Sequence, residues 1–117
     1  MRDIRPPERR RERRRTVTEP PAGVDRDALA RKAAYVAWDP HSADTLPWAV
    51  PAGRTPEDLL RAALTDGALG GPWERDFPRY AWYRTGDVVQ EFRLAGADPG
   101  RYTGYTLHPS EWPEGLA

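Results

Sequence analysis

Between Arg79 and Leu107 the hydrophobic period of this chain turns from helical to alternating, and that change restricts its fold more than any other feature. The segments RYAWYR (79–84), VVQEFRL (88–94) and RYTGYTL (101–107) are rich in β-branched and aromatic residues, as half-buried strands are. The intervening TGD and AGADPG have the composition of hairpin connections. Three such segments in succession predict an antiparallel meander. In the middle strand Val88, Gln90, Phe92 and Leu94 share one face, and Val89, Glu91 and Arg93 share the other.

The register across the hairpins follows from the turns. A three-residue turn at Thr85–Asp87 sets Tyr80 opposite Phe92 and Trp82 opposite Gln90. A two-residue Gly86-Asp87 turn moves Tyr80 and Trp82 to the polar face, because a one-residue slip inverts every side chain. The first register gathers the apolar residues on one side and is the one expected. With a six-residue second loop at 95–100, Phe92 faces Thr103 and Tyr102 stands beside Arg93. The open face then carries Arg79, Tyr83, Glu91, Arg93 and Tyr102.

Upstream, two segments read as helices. DRDALARKAAYVAW (25–38) begins with Asp25 as N-cap, buries Leu29, Ala33 and Val36, and ends before Pro40. TPEDLLRAALTDG (55–67) has Thr55 as N-cap, Pro56 at the first helical position and Asp58 completing a capping box. Leu59, Leu60, Ala63 and Leu64 form its buried stripe, and Gly67 is expected as a left-handed cap. The span 41–54 reads as a Pro-rich loop in which Leu46, Trp48 and Val50 suit a short edge strand. ALGGPWERDFP (68–78) reads as a turn-rich bridge anchored by Trp73 and Phe77, and Trp112 in the tail is placed to cover the core. The expected fold is therefore α+β: two helices packed on one face of a three-stranded antiparallel β-meander.

The 117 residues carry no net charge, but the two signs are separated. Residues 1–15 hold eight Arg against Asp3, Glu8 and Glu12, a balance of five positive charges that the remaining residues cancel. With four prolines and few apolar side chains, residues 1–24 are expected to form a disordered basic arm, and residues 25–117 a single small domain. Arg9, Arg10, Arg11, Arg13, Arg14 and Arg15 offer steep, sequence-independent affinity for phosphates. They equally suit contact with the acidic remainder of the same chain, a solvated tail or an acidic partner. The chain has one Lys beside 17 Arg, as high-GC genomes write basic residues, so the choice of Arg says little about bidentate phosphate recognition.

The sequence has no Cys, hence no thiol nucleophile or disulfide framework. His41 and His108 are its only histidines, and no HxxxH or HxH spacing occurs, so no metal is expected. No Gly-rich segment follows a strand and opens a helix, and no cofactor is expected. No apolar run approaches membrane-spanning length, which points to a cytoplasmic protein with no membrane partner.

Glu91, Arg93 and a Tyr on an open sheet are the residue types of a metal-independent ribonuclease. The carboxylate serves as general base, the guanidinium stabilises phosphate charge, and His108 serves as acid. That layout is similar to the one in barnase-like ribonucleases, where such groups lie on an antiparallel sheet behind N-terminal helices. The same residues also read as cross-strand surface charges. Three functions stay open. The leading one is a small non-enzymatic binding or regulatory protein, with a protein partner on the sheet face and nucleic acid as a further partner of the arm. The others are the ribonuclease and an acidic inhibitor of a basic protein.

Overall fold

The computed structural model describes residues 15–36, 53–97 and 100–116. Its architecture is α+β, with two helices and a five-stranded mixed sheet. In chain order the elements are α1 (Arg26–Lys32), β1 (Ala34–Tyr35), α2 (Pro56–Asp66), β2 (Ala68–Glu74), β3 (Phe77–Thr85), β4 (Val88–Ala97) and β5 (Gly100–Thr106), followed by a 3-10 turn at Pro109–Glu111. The sheet order is β1-β5-β4-β3-β2. The three expected strands stand in place as β3, β4 and β5, and each flank carries a strand that was expected as something else.

One flank is β1. The expected helix over 25–38 stops at Lys32, and Ala33 turns to extended backbone. Ala34 and Tyr35 then pair in parallel with Arg101 and Tyr102, and the Val36 amide donates to the Tyr102 carbonyl at 2.8 Å. Tyr35 meets the Phe92 ring edge-on with centroids 6.4 Å apart, so this tyrosine gains more on the sheet than in another helical turn. Trp38, His41 and the expected edge strand at Leu46–Val50 lie outside the described residues.

The other flank is β2, built from the segment expected as a bridge. It pairs antiparallel with β3 and slips register between Gly70 and Trp73. An edge position with a bulge is where a sheet accepts Pro72, which has no amide hydrogen to donate.

The β3–β4 register is the alternative to the one expected. Tyr80 faces Arg93, Trp82 faces Glu91 and Thr85 faces Val88. The hairpin closes on Gly86-Asp87, with Gly86 at φ +60°, a conformation that costs glycine nothing and matches the twist of the strands. Between β4 and β5, Phe92 faces Gly104 and Leu94 faces Tyr102, with a second slip between Leu94 and Gly96. Strand β4 continues to Ala97 and β5 restarts at Gly100, so the expected six-residue loop is largely strand.

These registers succeed because both faces of the sheet are covered. On one face Leu29 and Ala30 of α1 and Leu59, Leu60, Ala63 and Leu64 of α2 pack on Leu69, Phe77, Ala81, Phe92, Leu94 and Tyr102. On the other face Trp82, Val89, Tyr105 and Leu107 form a second core with Val17 and Tyr80, roofed by Trp112 and Leu116 from the tail. The chain is three-layered: helices, sheet, and a layer made from its two terminal segments.

Capping fixes α2. The Thr55 hydroxyl accepts from the Asp58 amide at 3.1 Å, and the Asp58 carboxylate accepts from the Thr55 amide at 3.3 Å, the reciprocal box expected from the sequence. At the far end Arg26 of α1 donates to the carbonyls of Leu64, Ala63 and Gly67 at 2.7, 3.1 and 2.7 Å. It thereby supplies donors to carbonyls at the negative pole of the helix, of which that of Ala63 also accepts from the Gly67 amide. Gly67 itself is extended (φ −86°, ψ −167°), not left-handed. Its role is clearance, since a Cβ there would stand 2.3 Å from the Trp82 carbonyl oxygen.

Candidate functional site

Three ranks of side chains cross the face opposite the helices. They are Tyr80–Arg93–Thr103, Trp82–Glu91–Tyr105 and Arg84–Val89–Leu107. The central rank holds the one carboxylate in the described core, Glu91, with 0 % of its surface exposed. Its Oε1 accepts from Trp82 Nε1 at 2.9 Å, and its Oε2 accepts from the Tyr105 hydroxyl. The charge is balanced by Arg15, whose Nε lies 3.6 Å from Oε1.

Arg15 arrives from outside the sheet. Its backbone carbonyl accepts from the Glu114 amide at 2.9 Å, and the Val17 amide donates to the Glu114 carbonyl at 2.8 Å. The Thr18 amide donates to the Leu69 carbonyl of β2. This stretch, expected as part of a disordered arm, is thus a strap bonded to the tail and to the sheet edge. Its side chain lies across the Tyr80 ring, 4.6 Å from the centroid, and Tyr80 stacks on Trp82 at 5.7 Å.

Burial is the largest influence on the Arg15 guanidinium and lowers its pKa, but the Glu91 carboxylate and Tyr80 together hold it above the ordinary range. Burial also drives the Tyr105 phenol well above its usual value, reinforced by Glu91 and opposed by Arg15 and Arg93. Both partners therefore keep their protons: a cation and a neutral donor hold one buried carboxylate.

The residues expected on one open face are divided between two. Glu91 and Arg93 do share a face, but only Arg93 is exposed. Tyr102 lies on the helix side with 0 % exposure, its hydroxyl donating to the Pro78 carbonyl at 2.6 Å. Tyr83 also packs against the helix-side core, with Arg54 5.7 Å from its ring. Arg79 is paired with Glu74 at 2.8 Å. His108 is half-buried at the start of the 3-10 turn. Gathering Arg79 and Tyr83 with Glu91 and Arg93 required the register that the two-residue turn replaces, and Tyr102 joined them only if it faced Arg93, whereas it faces Leu94.

Sequence reasoning missed Arg15 as the partner of Glu91, and Trp82 and Tyr105 as its donors. One signal was present: Thr16-Val17-Thr18 directly follows the Arg run, and β-branched alternation is what a docked strap needs.

Arg84 repeats the arrangement of Arg15 at the other end of the face, 4.6 Å from the Trp112 ring centroid and donating to the Gly86 carbonyl at 2.8 Å. Among the described residues no group of three metal-ligating side chains stands together, and no helix is long and apolar enough to cross a membrane. Compared with known proteins, the chain matches no family model, no characterised sequence and no solved structure.

Proposed function

We propose that this chain is a non-enzymatic binding protein that engages a polyanion through its arginine-rich N-terminal segment. The observation that carries this reading is the docking of Arg15. The last arginine of the run is held to the body by Glu91 and Tyr80, so the run joins an otherwise acidic chain at a defined place, while Arg9, Arg10, Arg11, Arg13 and Arg14 precede it in sequence and lie outside the described residues. Arginines in series bind phosphates by releasing counterions.

Two earlier alternatives lose support on physical grounds. Contact through an open apolar sheet face has little to work with, because each face already carries a layer that covers its apolar side chains. A ribonuclease needs a base that reaches a ribose hydroxyl, and both oxygens of Glu91 are engaged beneath the strap.

Fluorescence anisotropy with labelled mixed-sequence oligonucleotides, single-stranded and duplex, tests the reading. Binding should fall steeply with salt. Replacing Arg9, Arg10, Arg11, Arg13 and Arg14 by Gln should flatten the log–log slope on duplex by about 4, at roughly 0.9 per phosphate contact. Unchanged binding in that variant would sink the proposal. Capture of a basic protein, indifferent to those arginines, would instead favour the acidic inhibitor.

A further inference from the structure

We infer that the body supplies a second part of this interface, in which Arg93 and Arg84 extend the arginine track onto the sheet face and the partner is the phosphate backbone of a nucleic acid. The inference rests on the polyanion reading above.

Geometry supports it first. Arg93 stands directly across from Tyr80, and Tyr80 is the ring on which Arg15 lies. The exposed Arg93 guanidinium therefore belongs at the point where the N-terminal segment enters the body. Among the described residues it has no carboxylate partner. The nearest carboxylate on its own strand and face, Glu91, is already balanced by Arg15. Arg84 is exposed on the same face, four residues from Tyr80 along β3. At about 3.3 Å per residue and one strand over, the two arginines stand roughly 14 Å apart. A single nucleic-acid strand crosses that distance in a few nucleotides.

The chemistry of the face favours phosphates over bases or a protein surface. Base stacking needs free aromatic rings, yet Tyr80 and Trp112 each already carry a guanidinium. A protein partner anchors on apolar and aromatic hot spots, but here Trp82, Val89, Tyr105 and Leu107 are sealed under the strap and tail. What remains outward are the positive charges of Arg93 and of Arg84, the latter held against the Trp112 ring. That arrangement reads backbone position and not sequence.

The test measures affinity of the full-length protein for labelled mixed-sequence single-stranded and duplex DNA at two salt concentrations. Arg93→Glu and Arg84→Glu are compared with Arg61→Glu, which makes the same charge change on the outer side of α2, where Arg61 is 58 % exposed. Each sheet-face reversal should weaken binding about 10-fold at low salt, and Arg93→Gln should lower the duplex salt slope by about 1. Arg93→Lys should retain most of the affinity, and Arg61→Glu should change it less than 2-fold. Thermal melts of each variant should match wild type, as the control that these exposed substitutions leave the fold intact.

Equal effects for Arg93→Glu, Arg84→Glu and Arg61→Glu would overturn the inference. The polyanion reading would survive that result if the five-Gln variant still lost binding. Binding of poly-glutamate in preference to DNA would replace the partner and overturn the inference. No binding to either oligonucleotide at low salt would overturn both.

Discussion

Replacing Arg15 by Met removes the cation that, among the described residues, is paired with the fully buried Glu91 carboxylate, while keeping much of the side-chain stem. Two unit charges at the 3.6 Å separation of Arg15 and Glu91 attract by about 1 kcal/mol in water and about 4–5 kcal/mol at an effective dielectric of 20. Glu91 is sealed, but the Arg15 side chain is 36 % exposed, so solvent screens part of the attraction. The contact with Tyr80 adds about 0.5–1 kcal/mol. In the variant, Glu91 keeps Trp82 and Tyr105 as donors but loses the countercharge of Arg15, a state that costs more than the pair was worth.

The expected loss is about 2–3 kcal/mol at neutral pH, read as a fall of about 1–2 M in the urea midpoint by tryptophan fluorescence. Arg79→Met is the internal control. Its partner Glu74 is closer, at 2.8 Å, but the two side chains are 31 % and 46 % exposed, and the expected loss is below about 1 kcal/mol. Removing both charges of the buried pair, as Arg15→Met with Glu91→Leu, should recover much of the single-variant loss. An Arg15→Met effect no larger than that of Arg79→Met would refute the argument that burial, and not distance, sets the strength of this pair.

Two further outcomes follow from burial and clearance. Tyr102 and Tyr105 are both held above the ordinary phenol range chiefly by burial. Their contribution is complete below the unfolded value near 10 and drains as pH rises past it, by up to about 2.7 kcal/mol per pH unit for the two together. Alkaline titration followed at the tyrosinate absorbance should show these two ionising only with unfolding, and ionisation of all five tyrosines in a still-folded protein would contradict their burial. Gly67→Ala should cost about 2–4 kcal/mol, because the added methyl meets the Trp82 carbonyl 2.3 Å away, with backbone on both sides. A melting temperature equal to wild type would show that the α2–β2 junction yields.

Local signals were the legible ones. The α2 boundaries, its capping box and its buried stripe followed from Thr55, Pro56, Asp58 and the leucines, because each acts within a turn of its neighbour. The parity of β4 followed for the same reason, since alternation needs no knowledge of partners. Register did not follow. The preference for the longer turn assumed that one sheet face is wet, so that Tyr80 and Trp82 had to join Phe92. In fact the strap and tail dry the second face, and the glycine at 86 then decides. Strand β1 was hidden because AYV continues a helical pattern until Tyr35 finds Phe92 across the sheet. The same missing layer turned Glu91 from an expected surface base into the most buried carboxylate described. No periodicity in VVQEFRL marks that reversal, which depends on Arg15 and Glu114.

The Thr16–Glu114 bridge makes the folded chain a ring in effect, since the two stretches that close it come from opposite ends and lie side by side. The third layer therefore has no owner: the strap holds the tail, the tail roofs Trp82, and each loses its backbone partner if the other is trimmed. Shortening from either side should thus strip the same tryptophan and the same carboxylate, although the residues removed stand nearly the full length of the sequence apart.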